Sequence, residues 1–212
     1  MKQLVFRFLP QLIAIILVAA LVLMYQHQHS ANWSGNRPNP SPQASANWQR
    51  FENCRLINHA TNDGDSFMVE HNGTRSTFRL YFVDCPEKQL RKNNEARLNE
   101  QAKYFSLPTP HAASLVGQAA ASFSLNLLQR PFTVITKWER VFDSQRFYAQ
   151  ILVETDEKAS RDLAELLVEE GYARIFTKGS HLPGASSEPD IKQQLHALES
   201  ASRANHRGAW NH

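Results

Sequence analysis

A chain of 212 residues with 42% hydrophobic and 20% charged content is long enough to bury the core of one domain and is no wholly disordered polymer. Its 23 Lys and Arg against 20 Asp and Glu leave a formal charge of +3, which permits an anionic partner without demanding one. Two cysteines exclude a disulfide scaffold and a four-thiolate zinc site, and the histidines show no HExxH spacing, which argues against a zinc peptidase of that kind.

The N-terminus stands apart from the domain. Leu12 to Tyr25 is apolar and uncharged, and follows Lys2 and Arg7. As a helix it covers roughly 21 Å against a hydrocarbon core of about 30 Å; extension back to Leu4 closes the gap and leaves Arg7 near the end, able to snorkel. Residues 1–26 therefore read as a signal anchor in the membrane or as a cleaved signal peptide, although Met24 to His29 is too bulky for a clean cleavage site. Positive charge precedes the apolar run and none follows until Arg37. The domain is thus expected on the extracytoplasmic side, anchored or secreted. Residues 27–50, rich in Ser, Asn, Gln and Pro, read as a flexible tether. Trp33 and Trp48 are read as tether residues without a partner, docking onto lipid or the domain being the alternative.

The folded domain is assigned to residues 51–212. Cys54 to Ile57 begins a strand, and Ser66 to Glu70 forms the next. Asn72-Gly73 is a strong hairpin signal, and the return strand from Ser76 to Val83 alternates, with Phe78, Leu80 and Phe82 on one face. Phe132 to Thr136 and Tyr148 to Val153 supply two later strands. Leu90 to Tyr104 is compatible with a helix, but its apolar face is thin, and it reads as a mobile insertion. A first helix is expected from Ala112 to Leu128 with Leu115, Ala119, Phe123 and Leu127 stacked. A second starts at a Ser160 N-cap and stops at Gly171; a third opens near Ser187 and Pro189 and ends before Gly208. Strands first, then strands mixed with helices, mean an α+β fold, and five short strands suit a small closed barrel.

Acids and arginines carry the chemistry. Asp63-Gly64-Asp65-Ser66 precedes one strand, and Asp84-Cys85-Pro86-Glu87 ends the return strand. Convergence would bring like charges together, so removing one carboxylate is expected to relieve repulsion when no cation is bound. Hard oxygen donors favour Ca²⁺, Mg²⁺ or Mn²⁺ over zinc, and Arg79 can serve as a fork for a phosphate. The basic residues Arg91, Lys92, Arg97 and Lys103 are read as a solvated face, with a groove wall for a polyanion as the alternative. Cys54 and Cys85 are read as two free thiols, because the segment from Cys54 to Asp65 is mostly extended.

Taken together, Asp63-Gly64-Asp65-Ser66-Phe67, Arg79-Leu80 and Val83-Asp84-x-Pro86-Glu87 resemble the signature of the staphylococcal-nuclease-like (thermonuclease) family. The likeness continues through Gly117, Asp143 to Ala149, Leu167 to Ala173 and Glu199 to Trp210, and covers roughly residues 53–210. It implies an OB-fold five-stranded barrel with three packed helices and Ca²⁺-dependent hydrolysis of DNA and RNA, single strands preferred, to 3′-phosphate ends. By the same resemblance, Asp65, Asp84 and the Cys85 backbone carbonyl match the calcium ligands. Glu87 matches the general base, and Arg79 and Arg146 match the phosphate-binding arginines. The segment from Asp143 to Arg146 is one residue tighter than the family pattern. The rival reading is a non-catalytic OB-fold module that binds nucleic acid from the membrane; a pure binder has no use for Glu87 together with Asp65 and Asp84.

Overall fold

A computed structural model describes residues 48–155, 159–184 and 187–211. The apolar run and nearly all of the tether therefore lie outside the described residues, within which no helix is long and apolar enough to cross a membrane. Trp48 corrects the tether reading. It is half buried, edge-on to Tyr81 at 5.9 Å, with Lys137 Nζ 5.5 Å from its ring centroid. Docking onto the domain is what this indole does.

Strands β1 (Gln49–Leu56), β2 (Ser66–His71) and β3 (Thr74–Leu80) form an antiparallel meander. Asn72 and Gly73 between β2 and β3 have φ of 46° and 73°, the positive values a type I′ hairpin turn needs. The register of β1 slips between Phe51 and Cys54, where Asn53 has φ of 56°, a bulge that bends the strand. Next come β4 (Val83–Asp84), α1 (Glu95–Tyr104), α2 (Pro110–Leu127), β5 (Phe132–Thr136) and β6 (Arg146–Glu154). There follow β7 (Ser160–Asp162), α3 (Leu163–Glu169), β8 (Arg174–Ile175), α4 (Glu188–Ala204) and a 3-10 turn over Gly208–Trp210. β5 pairs with β1 and with β6, and β6 closes the ring by running parallel to β3, Thr77 opposite Arg146 and Leu80 opposite Ala149. The result is a closed five-stranded barrel with four helices, an α+β OB-like fold. Phe67, Val69, Phe78, Leu80, Val134 and Ile151 are buried in it, and removal of such side chains from water is the main term favouring the fold.

The return strand departs from its expected alternation. It ends at Leu80, and every residue from Phe78 to Asp84 is buried. The cause is Phe82, whose φ of 67° turns the chain towards β8. The Phe82 amide donates to the Lys178 carbonyl at 2.9 Å, and the Phe82 carbonyl accepts from the Phe176 amide at 2.9 Å. A bulky residue holds such a conformation only where its surroundings impose it.

The three expected helices are present, with differences that matter for the site. Leu90 to Tyr104 is no mobile insertion: it contains α1, which buries Leu98, Gln101 and Ala102 and packs on α2. On α2 the stripe headed by Leu115 is not the buried one. Leu115 is half exposed, while Ala113, Gly117, Ala120, Ala121 and Ser124 are buried, because this helix approaches the neighbouring backbone too closely for large side chains. Ser160 does not cap α3; it belongs to β7, and Asp162 Oδ1 accepts from the Ala164 amide at 2.8 Å instead. α4 opens as expected, with the Ser187 amide and hydroxyl donating to Asp190 Oδ2 at 3.0 and 2.7 Å.

α3 also carries a pH-sensitive group. Burial, then the charges of Asp162 and Glu169, push Glu165 up to about 7 from 4.5. A carboxyl whose folded value is raised loses stability as pH climbs from the unfolded value to the folded one. The melting temperature should therefore decline between pH 4.5 and about 7. Glu165→Gln should flatten that decline in thermal melts across the range, and an equal slope in both proteins would refute the assignment.

Candidate active site

The turn before β2 is built by its own acids. Asp63 Oδ1 accepts from the Asp65 and Ser66 amides at 3.1 and 2.8 Å. Gly64 is required here by space: a Cβ would lie 2.8 Å from Cys85 Sγ and 2.9 Å from Ala120 Cβ. α2 fixes the same turn through Ser124 Oγ, which donates to the Gly64 carbonyl at 2.8 Å. Burial first, then Asp65, raise the Asp63 carboxyl to about 8, with Glu87 adding to the effect.

Arg79, the penultimate residue of β3, joins the two acidic motifs. Its Nη1 donates to Asp65 Oδ1 at 3.0 Å and its Nη2 to Asp84 Oδ1 at 2.6 Å. Burial opposes its charge, but Asp65 and Asp84 outweigh that and hold it protonated. Asp65 Oδ2 also accepts the Cys85 amide at 2.8 Å, which ties the two motifs through the backbone. Asp84 is the hub. Its Oδ1 accepts from Arg97 Nη2 as well, at 2.6 Å, and its Oδ2 accepts from Arg174 Nε at 2.8 Å and Gln101 Nε2 at 2.9 Å. Burial alone would raise this carboxyl; Arg97, Arg79 and Arg174 together hold it below the usual range.

Glu87 stands at the rim, its Oε1 2.8 Å from Arg97 Nη1. Two helices position its backbone. From α1, Gln101 Oε1 accepts the Glu87 amide at 3.2 Å while Gln101 Nε2 donates to the Cys85 carbonyl at 3.0 Å. From α2, Gly117 lets the helix meet the loop: a Cβ there would lie 2.4 Å from the Pro86 carbonyl oxygen and 2.7 Å from that of Glu87. Arg146 enters from β6, and its Nη1 lies 3.4 Å from Ser66 Oγ, which also faces Arg79 Nη1 at 3.4 Å. The tight segment before it is held by Ser144, whose Oγ accepts the Arg146 amide at 3.2 Å. Cys54 and Cys85 are buried free thiols, and burial followed by Asp65 and Asp63 keeps the Cys85 thiol protonated.

All six expected site residues thus meet in one place: Asp65, Arg79, Asp84, Cys85, Glu87 and Arg146. Three partners were not anticipated. Arg97, read as part of a solvated or groove-lining face, reaches into the cluster, while Arg91, Lys92 and Lys103 remain exposed. Gln101 lies one turn after Arg97, and that i, i+4 spacing was the available signal. Arg174 carried no local signal; it arrives because β8 pairs with β4, Arg174 opposite Asp84.

The donors around Asp65, Asp84 and the Cys85 carbonyl are hard oxygens, the chemistry Ca²⁺ takes. As arranged, however, they do not fit an ion. A carboxylate offers about four lone-pair positions, and Asp84 already accepts from Arg79, Arg97, Arg174 and Gln101. The Cys85 carbonyl already accepts one bond, from Gln101. Among the described residues no group of three or more His, Cys, Asp or Glu side chains is disposed to hold a metal. The expected ligands converge on guanidinium groups instead.

A search of curated proteins gives no match. The family model described as staphylococcal nuclease homologue matches residues 77–212, from the middle of β3 to the end of the chain. Within that span lie Arg79, Asp84, Glu87 and Arg146; Asp65 lies before it and joins them because Ser66 on β2 is opposite Arg79 on β3. A match over well more than half the chain, on a closed barrel of this topology, leaves one assignment: the chain belongs to the staphylococcal nuclease homologue family.

Proposed function

We propose that the chain is a nuclease that hydrolyses phosphodiester bonds of DNA and RNA with little sequence preference, single strands first. The observation that supports it most is the Glu87 carboxylate at the rim of a cluster containing Arg79 and Arg146. Phosphodiester hydrolysis needs a base for the attacking water and fixed donors for charge that grows on the phosphoryl oxygens. Glu87 takes the proton as the water oxygen bonds to phosphorus. The bond to the 5′-oxygen breaks and that oxygen takes a proton from solvent water, leaving a 3′-phosphate and a 5′-hydroxyl. Arg79, held by Asp65, Asp84 and Ser66, would offer its remaining N–H donors, already oriented, to a phosphoryl oxygen. Arg146, half buried on the neighbouring strand, is the second donor.

Two features favour a polyanionic strand as the substrate. Phe142, on the loop before Arg146, is almost fully exposed and offers a face for a base to stack on. A cleft of about 920 Å³ is lined by Arg55, His59 and Lys88 among others and suits flanking phosphates. Ca²⁺ belongs to the proposal as the cation these oxygen donors would take, with no step assigned to it while Asp84 is saturated. So does an extracytoplasmic domain, held by residues 1–26 as anchor or released if they are cleaved.

The test is digestion of single-stranded DNA by the full chain, with Ca²⁺ and with chelator. The expected result is cutting to 3′-phosphate ends that stops with chelator. Cutting that ignores the chelator removes Ca²⁺ from the proposal, and binding without cutting favours the non-catalytic rival.

A further inference from the structure

Asp84 and Glu87 lie three residues apart, and one guanidinium spans them. Arg97 Nη2 is 2.6 Å from Asp84 Oδ1, and Arg97 Nη1 is 2.8 Å from Glu87 Oε1. A cation bridging two carboxylates is what a divalent ion would be at this position. Here α1 supplies it from the chain itself.

We infer that Arg97 is a resident cation that competes with a divalent metal ion for Asp84 and Glu87, so that an ion can bind only when Arg97 withdraws. The inference rests on the reading of these two acids as site residues and adds what controls their access.

Which of the four Asp84 partners yields follows from their burial. The Arg79 and Arg174 side chains are 7% and 5% exposed, and Gln101 is fully buried. Each would leave a polar or charged group unpaired inside the protein if displaced, a costly outcome. Arg97 is 40% exposed, and its long stem can carry the guanidinium into water without loss of hydration. Glu87, at 30% exposure, is released by the same movement. The helix itself need not move. Leu98 and Ala102 pack against Ala113 of α2, and Phe105, just past the end of α1, packs at 4.9 Å on Trp210. Tyr104 hydroxyl bonds Glu199 of α4. α1 is therefore a fixed mount, and the switch is one side chain.

The competition has a direct measure in Ca²⁺ binding by calorimetry, on the full chain, with no nucleic acid present. Arg97→Met keeps the apolar stem and removes the charge, and should bind Ca²⁺ about tenfold more tightly than the parent, within the usual range for one ligand displacing another. Arg97→Lys keeps the charge as a point that cannot bridge both acids, and should fall between the two. Thermal melts run alongside confirm that each variant is folded. Equal or weaker Ca²⁺ binding by Arg97→Met overturns the inference, as does failure of all three proteins to bind the ion. Neither result touches the nuclease reading, which stands or falls on whether DNA is cut.

Discussion

Asp84→Asn should destabilise the folded chain by about 3–5 kcal/mol, the cost typical of removing one partner from a buried charge pair. Simple repulsion among converging acids predicts the opposite, a neutral or stabilising change. The arrangement of charges decides the sign. Asp84 is 1% exposed and faces three guanidinium groups, two of them buried with it. Replacing it by an amide leaves Arg79 with Asp65 alone and leaves Arg174, 4% exposed, without its carboxylate. An asparagine nitrogen would in addition point a donor at donors. Asp65→Asn should cost less, because Asp65 balances only Arg79 and has Ser66 and the Cys85 amide as its other partners. Urea denaturation of the three proteins gives the comparison. A midpoint for Asp84→Asn at or above that of the parent would show that the guanidinium groups do not depend on this carboxylate.

Glu87→Gln should lower kcat by about 10²–10⁴-fold, the range a positioned general base contributes, with little change in affinity for single-stranded DNA. The substitution keeps the side chain's length and its hydrogen-bonding oxygen. It also keeps the backbone contacts that set its position, since the Gln101 bond and the Gly117 approach both involve main-chain atoms of the loop. The ion pair with Arg97 is lost, but both side chains are partly exposed, so stability should change by less than about 1 kcal/mol. Single-turnover cleavage and fluorescence anisotropy separate the chemical step from binding. If the variant keeps the parent's kcat and loses only affinity, Glu87 holds substrate and another group takes the proton.

What could be read along the chain, and what could not, follows the sequence distance over which each feature is decided. The β2–β3 hairpin is written in Asn72-Gly73 and the flanking apolar residues, and it folds as written. Arg79, Asp84 and Glu87 lie within nine residues at the end of one strand, so their convergence follows from local geometry. α1 escaped because Leu98 and Ala102 make a narrow apolar seam, and its remaining buried residue, Gln101, is polar and earns its place by bonding the site. The buried face of α2 was misread because hydrophobicity favours Leu115 over Gly117 and Ser124. Steric room decides the matter, and the chain running past at Pro86 is invisible in the helix's own periodicity. Arg174 reaches Asp84 across 90 positions of sequence through a two-residue strand, and no periodicity reports such a pairing.

The parallel seam between β3 and β6 has a consequence for the timing of activity. Thr77 meets Arg146 and Leu80 meets Ala149 only after more than sixty intervening residues have been ordered, and contacts of such long range form slowly because the loop they close is entropically costly. Arg146 is delivered by that seam, and Arg174 arrives from further still along the chain. A nascent chain that has reached only Gln101 holds Asp65, Arg79, Asp84, Cys85 and Glu87 but lacks Arg146 and Arg174. On the proposed nuclease reading, the second phosphate-binding arginine is therefore in place only once the barrel has closed.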